Sequence, residues 1–259
     1  MLYGISNALN RAIFNFQCRR VFDTPAAPLA RDSDLAVLTL LQHKDVMMAA
    51  LAFKSFAQHA PVGAFFIVDD GTLTQRDRGL LKEHLPGVTF LDRAAYVSPH
   101  CPTGGCWERL LAIADVSKSR YVIQLDSDTL TLAPIPEVCE AARSNTSFAI
   151  STWDDQEIEG MRERQQHAAR LVAESDGKAH IQVVAEANFD KLTEFRQLRY
   201  LRGCAGFSGF GKGSVDHSFI ENISAEMFSA LGDRWAEWGS EQVMSNIVVA
   251  NCPKALPLP

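Results

Sequence analysis

The chain contains no run of eighteen apolar residues, so nothing in it reads as a membrane-spanning helix. Its first residues, MLYGISNALNRAIFNFQCRR, lack both the uninterrupted apolar core and the small-residue cleavage site of a signal peptide, and a cytoplasmic location is expected. Cysteine is sparse. Six thiols (Cys18, Cys101, Cys106, Cys139, Cys204 and Cys252) scattered over 259 residues make no disulfide framework, and a reducing compartment keeps them free. Only Cys101 and Cys106 are close, in HCPTGGCW beside His100. With no second Cys or His pair at finger-like spacing, that segment reads as a loop with free thiols in preference to a zinc site. An excess of basic charge is missing as well: the net charge is −6 with both signs well mixed, so no nucleic-acid partner is expected. No glycine-rich phosphate loop follows the first apolar run, which argues against a nucleotidyltransferase of that type.

What the chain does have is alternation. A leader and a Pro/Ala linker occupy residues 1–30, and apolar runs then alternate with helical patterns, as βαβ units do. Strands are expected at Leu35 to Leu41, Ala64 to Val68, Val88 to Leu91 and Tyr121 to Leu125. Helices are expected at Asp45 to Gln58, Thr74 to His84 and Gly105 to Ser117. This order builds an α/β fold with a doubly wound, mostly parallel sheet flanked by helices, whose ligand crevice lies beyond the carboxyl ends of its strands. Asp69, Asp70, Asp126 and Asp128 all fall at that edge. Residues 31–259 form one domain, with a first half at 31–135 and a second at 136–259. The second half begins with a strand at Phe148 to Trp153 that ends in Asp154 and Asp155. A polar, mostly helical insertion follows at Gln156 to Leu201, expected to be a solvated face or a lid. Next comes a glycine-punctuated strand, RGCAGFSGFGKG, where a bulge or a close backbone approach is expected. A last helix in WGSEQVMSN takes Ser240 as its N-cap.

The stretch YVIQLDSDTLTLAP carries the chemistry. In extended chain, residues i and i+2 face the same side, so Asp126 and Asp128 converge while Ser127 faces away. Two carboxylates brought together repel unless a cation lies between them, and hard divalent ions such as Mg²⁺ or Mn²⁺ are held by one or two carboxylates plus phosphate oxygens. A lone D-x-D is equally a solvated turn.

Several pieces together resemble the GT-A fold glycosyltransferases that use nucleotide-sugar donors, of the glycogenin and galactosyltransferase kind. They are the first strand with Gln42-His43-Lys44, the Val68-Asp69-Asp70-Gly71 turn, the strand-borne L-D-S-D preceded by a helix, and the ordered CAGFSGF and WGSEQ segments. The resemblance spans roughly residues 35–257 and implies a GT-A-like catalytic domain. It implies that Asp126 and Asp128 hold Mn²⁺ or Mg²⁺ on the diphosphate of a UDP-sugar, and that Gln42, Lys44, Asp69, Asp70, Arg109, Ser127, Gly206 and Gln242 contact the donor. For the base that deprotonates an acceptor hydroxyl, Glu241 is the first choice and Asp154 or Asp155 the second. The acceptor implied is a carbohydrate or a lipid-linked sugar, as in surface polysaccharide or glycolipid synthesis. Plainer readings stand beside two of these roles: a surface salt bridge for Arg109, and a favourable charge at a helix N-terminus for Glu241.

The chain departs from the pattern where Cys204-Ala205-Gly206 replaces a common Asn, where no His follows His217 to complete a metal shell, and where it ends in KALPLP, which reads as the entry to another strand. Either water completes the metal shell or a C-terminal piece is missing. Two other functions compete. The segment Val68 to Thr74 resembles a haloacid-dehalogenase-like phosphatase loop, but with Val68 at the nucleophile position, where no phosphoaspartate can form. An inactive GT-A-like binding or scaffold domain is the second. In the leader, Leu2, Ile5, Leu9, Ile13 and Phe16 approximate an apolar face with Arg11, Arg19 and Arg20 nearby. Residues 1–22 are expected either to lie on an anionic membrane surface or to pack on their own domain.

Overall fold

The computed structural model describes residues 13–259 apart from residue 15. Seven strands form the main sheet in the order β3-β2-β1-β4-β8-β5-β9. The first half supplies β1 (Leu35–Leu41), β2 (Ala64–Asp69), β3 (Thr89–Asp92) and β4 (Tyr121–Leu125), all parallel to one another. The second half adds β5 (Ser147–Ser151), β8 (Gly203–Phe210) and β9 (Ala255–Leu258), while β6 (Glu159–Gly160) and β7 (Arg199–Tyr200) pair apart from the sheet. Only β8 runs against the rest, antiparallel to β4 on one side and to β5 on the other. The mostly parallel sheet is therefore as expected, and the segment KALPLP is indeed a strand, laid parallel to β5 at the sheet edge.

Continuous apolar runs make these strands because both faces of the sheet are covered. Along β1, Leu35 and Val37 enter one core with α1 (Val46–Ala57) and α2 (Gln75–His84), whereas Ala36 and Leu38 enter the other with α3 (Trp107–Ser117). The element order continues with α4 (Pro136–Arg143), α5 (Met161–Glu174), α6 (Ile181–Ala187), α7 (His217–Leu231) and α8 (Ser240–Asn251). The chain leaves β1 toward β2 and β3 and then returns on the opposite side with β4. That makes the β1/β4 boundary the switch point where such sheets open a crevice.

Several expectations need correction. The region from 156 to 201 is not simply a solvated face: Arg164 and Glu186 are buried, and Tyr200 donates a hydrogen bond to Glu186 Oε1 at 3.1 Å. Ser240 is the first residue of α8 and makes no cap. The capping position belongs to Gly239, whose φ of 108° is a left-handed conformation that suits glycine. Those that concern the aspartates and Arg109 are described with the site. Of the leader, Leu2, Ile5, Leu9 and Arg11 lie outside the described residues, while Ile13 and Phe16 are exposed. From Val21 onward the arm is tied down, because the buried Lys54 ammonium donates to the Val21 carbonyl at 2.8 Å and the Thr24 carbonyl at 3.3 Å. Among the described residues no helix is long and apolar enough to cross a membrane.

Candidate active site

Strand β4 ends at Leu125, and the chain turns at once: the Thr129 backbone N–H and hydroxyl both donate to the Asp126 carbonyl, at 3.2 and 2.8 Å. Strand alternation therefore does not govern Asp126 and Asp128. The first is half-buried and held, and the second stands exposed in the turn beside Ser127. One oxygen of Asp126, Oδ1, accepts a short hydrogen bond from Arg109 Nη1. The backbone N–H of Asp126 donates to the Gly206 carbonyl at 2.8 Å. A bulge makes that contact possible. Strand β8 pairs with β5 at Ala149↔Ser208 and again at Ile150↔Cys204, so the segment between swings away from β5 while Phe207 stays paired with Leu125. A Cβ on Gly206 would sit 2.9 Å from Asp126 Oδ2, so glycine keeps that oxygen open.

Arg109 belongs to a helix of which ten of eleven residues are buried, and it is itself 4% exposed. It is no surface salt bridge, and it is not free to reach out to a diphosphate. Its Nη2 lies 3.6 Å from Glu241 Oε1, within ion-pair distance. The starts of α3 and α8 are brought together by Trp107, whose indole N–H donates to Ser240 Oγ at 3.0 Å and whose ring packs edge-on against Trp235. Gly104 and Gly105, both at positive φ, let the chain turn into α3 just ahead of Trp107. Burial alone would lower the Arg109 guanidinium, but the Glu241 and Asp126 carboxylates hold it above its ordinary value. Burial pushes Glu241 up to about 7; Arg109 opposes the rise and Asp126 adds to it. Glu241 is thus a buried partner of Arg109, with little surface open to solvent. Burial also lifts the Cys106 thiol to about 11, which makes it inert.

The other predicted residues divide clearly. Gln42 and Lys44 are exposed where the chain leaves β1. That exit is tied to the exit of β2, since the His43 N–H donates to Thr72 Oγ1 at 2.8 Å and the Thr72 hydroxyl donates to Asp70 Oδ1 at 2.6 Å. Asp70 and Gln42 therefore stand on one rim. Asp69 is different: buried, it accepts from the Gly71 N–H at 2.8 Å and pairs with Arg78, so it holds its own turn together and is not free for a ligand. Val68 is fully buried, which leaves the phosphatase alternative without a group in the nucleophile position. Asp154 and Asp155 are exposed in the loop after β5. Gln242 is engaged, donating to the Gly203 carbonyl at 3.0 Å, and Asn246 one turn later donates to the same oxygen at 3.2 Å. Asn246 was not anticipated, although polar residues at i and i+4 on an otherwise apolar helix are its signal. All six cysteines are free.

Asp126 Oδ2, left open by Gly206, and the exposed Asp128 are hard carboxylate oxygens at one turn, the donor type that divalent cations take. Among the described residues no cluster of three or more His, Cys, Asp or Glu side chains is assembled. Two such oxygens would hold a divalent ion only together with ligands from outside the protein.

No protein-family model and no curated protein matches the chain. Solved structures do resemble it. The bifunctional glycosyltransferase WbbM, in its apo form, is 16% identical with a TM-score of 0.50, over 90% of this chain and 40% of that one. The chain thus spans two-fifths of the WbbM chain. Core-mannan synthase A from Aspergillus fumigatus, in a Mn/GDP form, is 8% identical with a TM-score of 0.48, over 88% of this chain and 72% of that one. The galactosyltransferase LgtC, in complex with donor and acceptor sugar analogues, is 11% identical with a TM-score of 0.41, over 82% and 69% of the two chains. At these identities the likeness is one of fold, and the fold is GT-A.

Proposed function

We propose, from the GT-A fold as premise, that the chain is a metal-dependent glycosyltransferase that moves a sugar from a nucleotide-sugar, a UDP-sugar in the first instance, to a hydroxyl of a carbohydrate or lipid-linked acceptor. The observation that carries the proposal is the setting of Asp126. A carboxylate at the switch-point edge has one oxygen fixed by a buried arginine and the other left open opposite a glycine that has no room for a side chain. A solvated turn needs neither feature. Asp126 and Asp128 would hold Mn²⁺ or Mg²⁺, which when bound supplies Lewis-acid stabilisation to the departing diphosphate.

The chain's own residues supply position. Arg109 orients Asp126 and is itself flanked by Glu241, so the Asp126 carboxylate is preorganised before any ligand arrives. Gln42, Lys44 and Asp70 form the rim assigned to the nucleoside, with Ser127 at the turn. Gln242 and Asn246 fix Gly203, and through it the strand that presents Gly206. Asp154 and Asp155 stand open to solvent and take the role of base in preference to the enclosed Glu241, since a base must first reach the proton it removes. Work in surface polysaccharide or glycolipid synthesis, in the cytoplasm and with residues 1–22 against an anionic membrane, is the setting consistent with the exposed Ile13 and Phe16 beside Arg19 and Arg20. The test is a panel of UDP- and GDP-sugars with Mn²⁺. Release of nucleoside diphosphate from at least one donor is expected, and release from none would leave only a binding domain.

A further inference from the structure

One large side chain at the same edge has no part in the mechanism above. Trp153 lies two residues beyond the end of β5 and is 43% exposed. An indole offers a large apolar area and normally buries it. Here one face is covered by the Arg164 guanidinium, 5.3 Å from the ring centre. Arg164 is itself fixed: it is buried, donates from Nε to Glu159 Oε1 at 2.8 Å, and lies 3.9 Å from Glu186. The loop is fixed too. The Thr152 hydroxyl and the Gln156 amide both donate to the Arg202 carbonyl, at 2.8 and 2.7 Å, and the Thr152 N–H donates to Gln156 Oε1 at 2.8 Å. The indole is therefore backed by a cation and still part exposed, on a loop stitched to the residue that precedes β8.

Strand order decides what the indole meets. Asp126 follows β4, the rim of Gln42 and Asp70 follows β1 and β2 on one side of it, and Trp153 follows β5 on the other. From Gly203, which pairs with Ser151, to Gly206, which receives the Asp126 N–H, is about 10 Å of extended chain. A nucleoside on the β1/β2 rim with its diphosphate at Asp126 leaves the β5 side to the acceptor. The axial C–H groups of a pyranose give it an apolar flank that stacks on an indole, while its hydroxyls are donors for carboxylates such as Asp154 and Asp155.

We infer that Trp153 is a stacking platform for a pyranose ring of the acceptor, set by Arg164 and the Arg202 carbonyl on the side of Asp126 away from the nucleoside. This rests on the glycosyltransferase reading and adds to it the side chain that receives the acceptor ring. The experiment compares wild type, Trp153→Phe and Trp153→Ala for transfer to a panel of simple glycosides, with donor and acceptor concentrations varied separately, and follows intrinsic fluorescence as the same glycosides are added without donor. Trp153→Ala should raise the acceptor KM about tenfold, the size expected for losing one aromatic stack. The donor KM should move less than twofold, Trp153→Phe should restore most of the loss, and the glycoside-induced fluorescence change should disappear in both variants. An unchanged acceptor KM in Trp153→Ala, or a donor KM that rises with it, overturns the platform. A wild type that releases diphosphate from no donor overturns the glycosyltransferase reading and the acceptor assignment with it.

Discussion

Replacing Arg109 with methionine would leave two carboxylates without their cation, one of them buried. Glu241 is 5% exposed and has no other basic partner among the described residues, so the account predicts a destabilisation of about 3 kcal/mol for Arg109→Met, the usual cost of breaking an enclosed ion pair from one side. Urea unfolding measures it, and a loss below about 1 kcal/mol would mean that Arg109 is a surface residue in solution. At this scale the aspartates were legible and their surroundings were not. A carboxylate pair after an apolar run is visible in the chain, but Arg109 and Glu241 meet only because Trp107 and Ser240 join two helices far apart in sequence. Asp69 illustrates the converse. It stands at the edge where a ligand residue is expected, yet Arg78 and the Gly71 N–H use both of its oxygens.

At the scale of elements, strand β8 separates fold from function within one run of glycines. A Cβ on Gly209 would collide with the Phe148 ring and the Tyr121 hydroxyl, so Gly209→Ala should cost roughly 1–3 kcal/mol through overpacking. Gly206→Ala should instead leave the melting temperature within a few degrees of wild type while weakening metal-dependent nucleotide binding about tenfold, because its methyl group displaces Asp126 Oδ2. Calorimetric titration with nucleotide and Mn²⁺ separates the two, and equal nucleotide binding by Gly206→Ala would remove Oδ2 from the site. The glycine pattern announced a bulge and a close approach. The direction of the strand was not legible, since a period of two reads the same both ways. The charged segment is helical and mostly at least part exposed, as its composition says, but only packing puts Glu186 against Arg164, Arg202 and Tyr200. Burial raises the Glu186 carboxyl above its ordinary value, with Arg202 and Arg164 pulling the other way. The stability linked to that proton is complete below about pH 4 and is lost as pH climbs through the raised value. Glu186→Gln has no proton to lose. The stability gap between variant and wild type should therefore shift in the variant's favour from about pH 4 upward, and a gap that stays constant with pH would show that Glu186 titrates normally in the folded protein.

The molecule as a whole follows from a sheet whose parallel strands present their carboxyl ends to one crevice, with β8 inserted backwards to bring its bulge to the same place. The alternation of apolar runs and helices was enough to place β1, β2, β4 and the switch point, because each of those segments is buried on both faces and its composition says so. The central claim is that this crevice holds a metal-bridged nucleoside diphosphate on Asp126 and Asp128. Asp128 is the cleaner probe: it is exposed and has no internal hydrogen-bond partner among the described residues, whereas altering Asp126 would also disturb Arg109. The direct measurement is the melting temperature of wild type and Asp128→Asn, with and without Mn²⁺ plus UDP or GDP. A ligand that binds only the folded state raises the melting temperature by an amount that grows with its concentration. The account predicts a metal-dependent rise in wild type with at least one nucleotide, no such rise in Asp128→Asn, and an unliganded Asp128→Asn protein as stable as wild type or slightly more so. A wild-type melting temperature indifferent to metal and every nucleotide, or a variant that keeps the full shift, would contradict it.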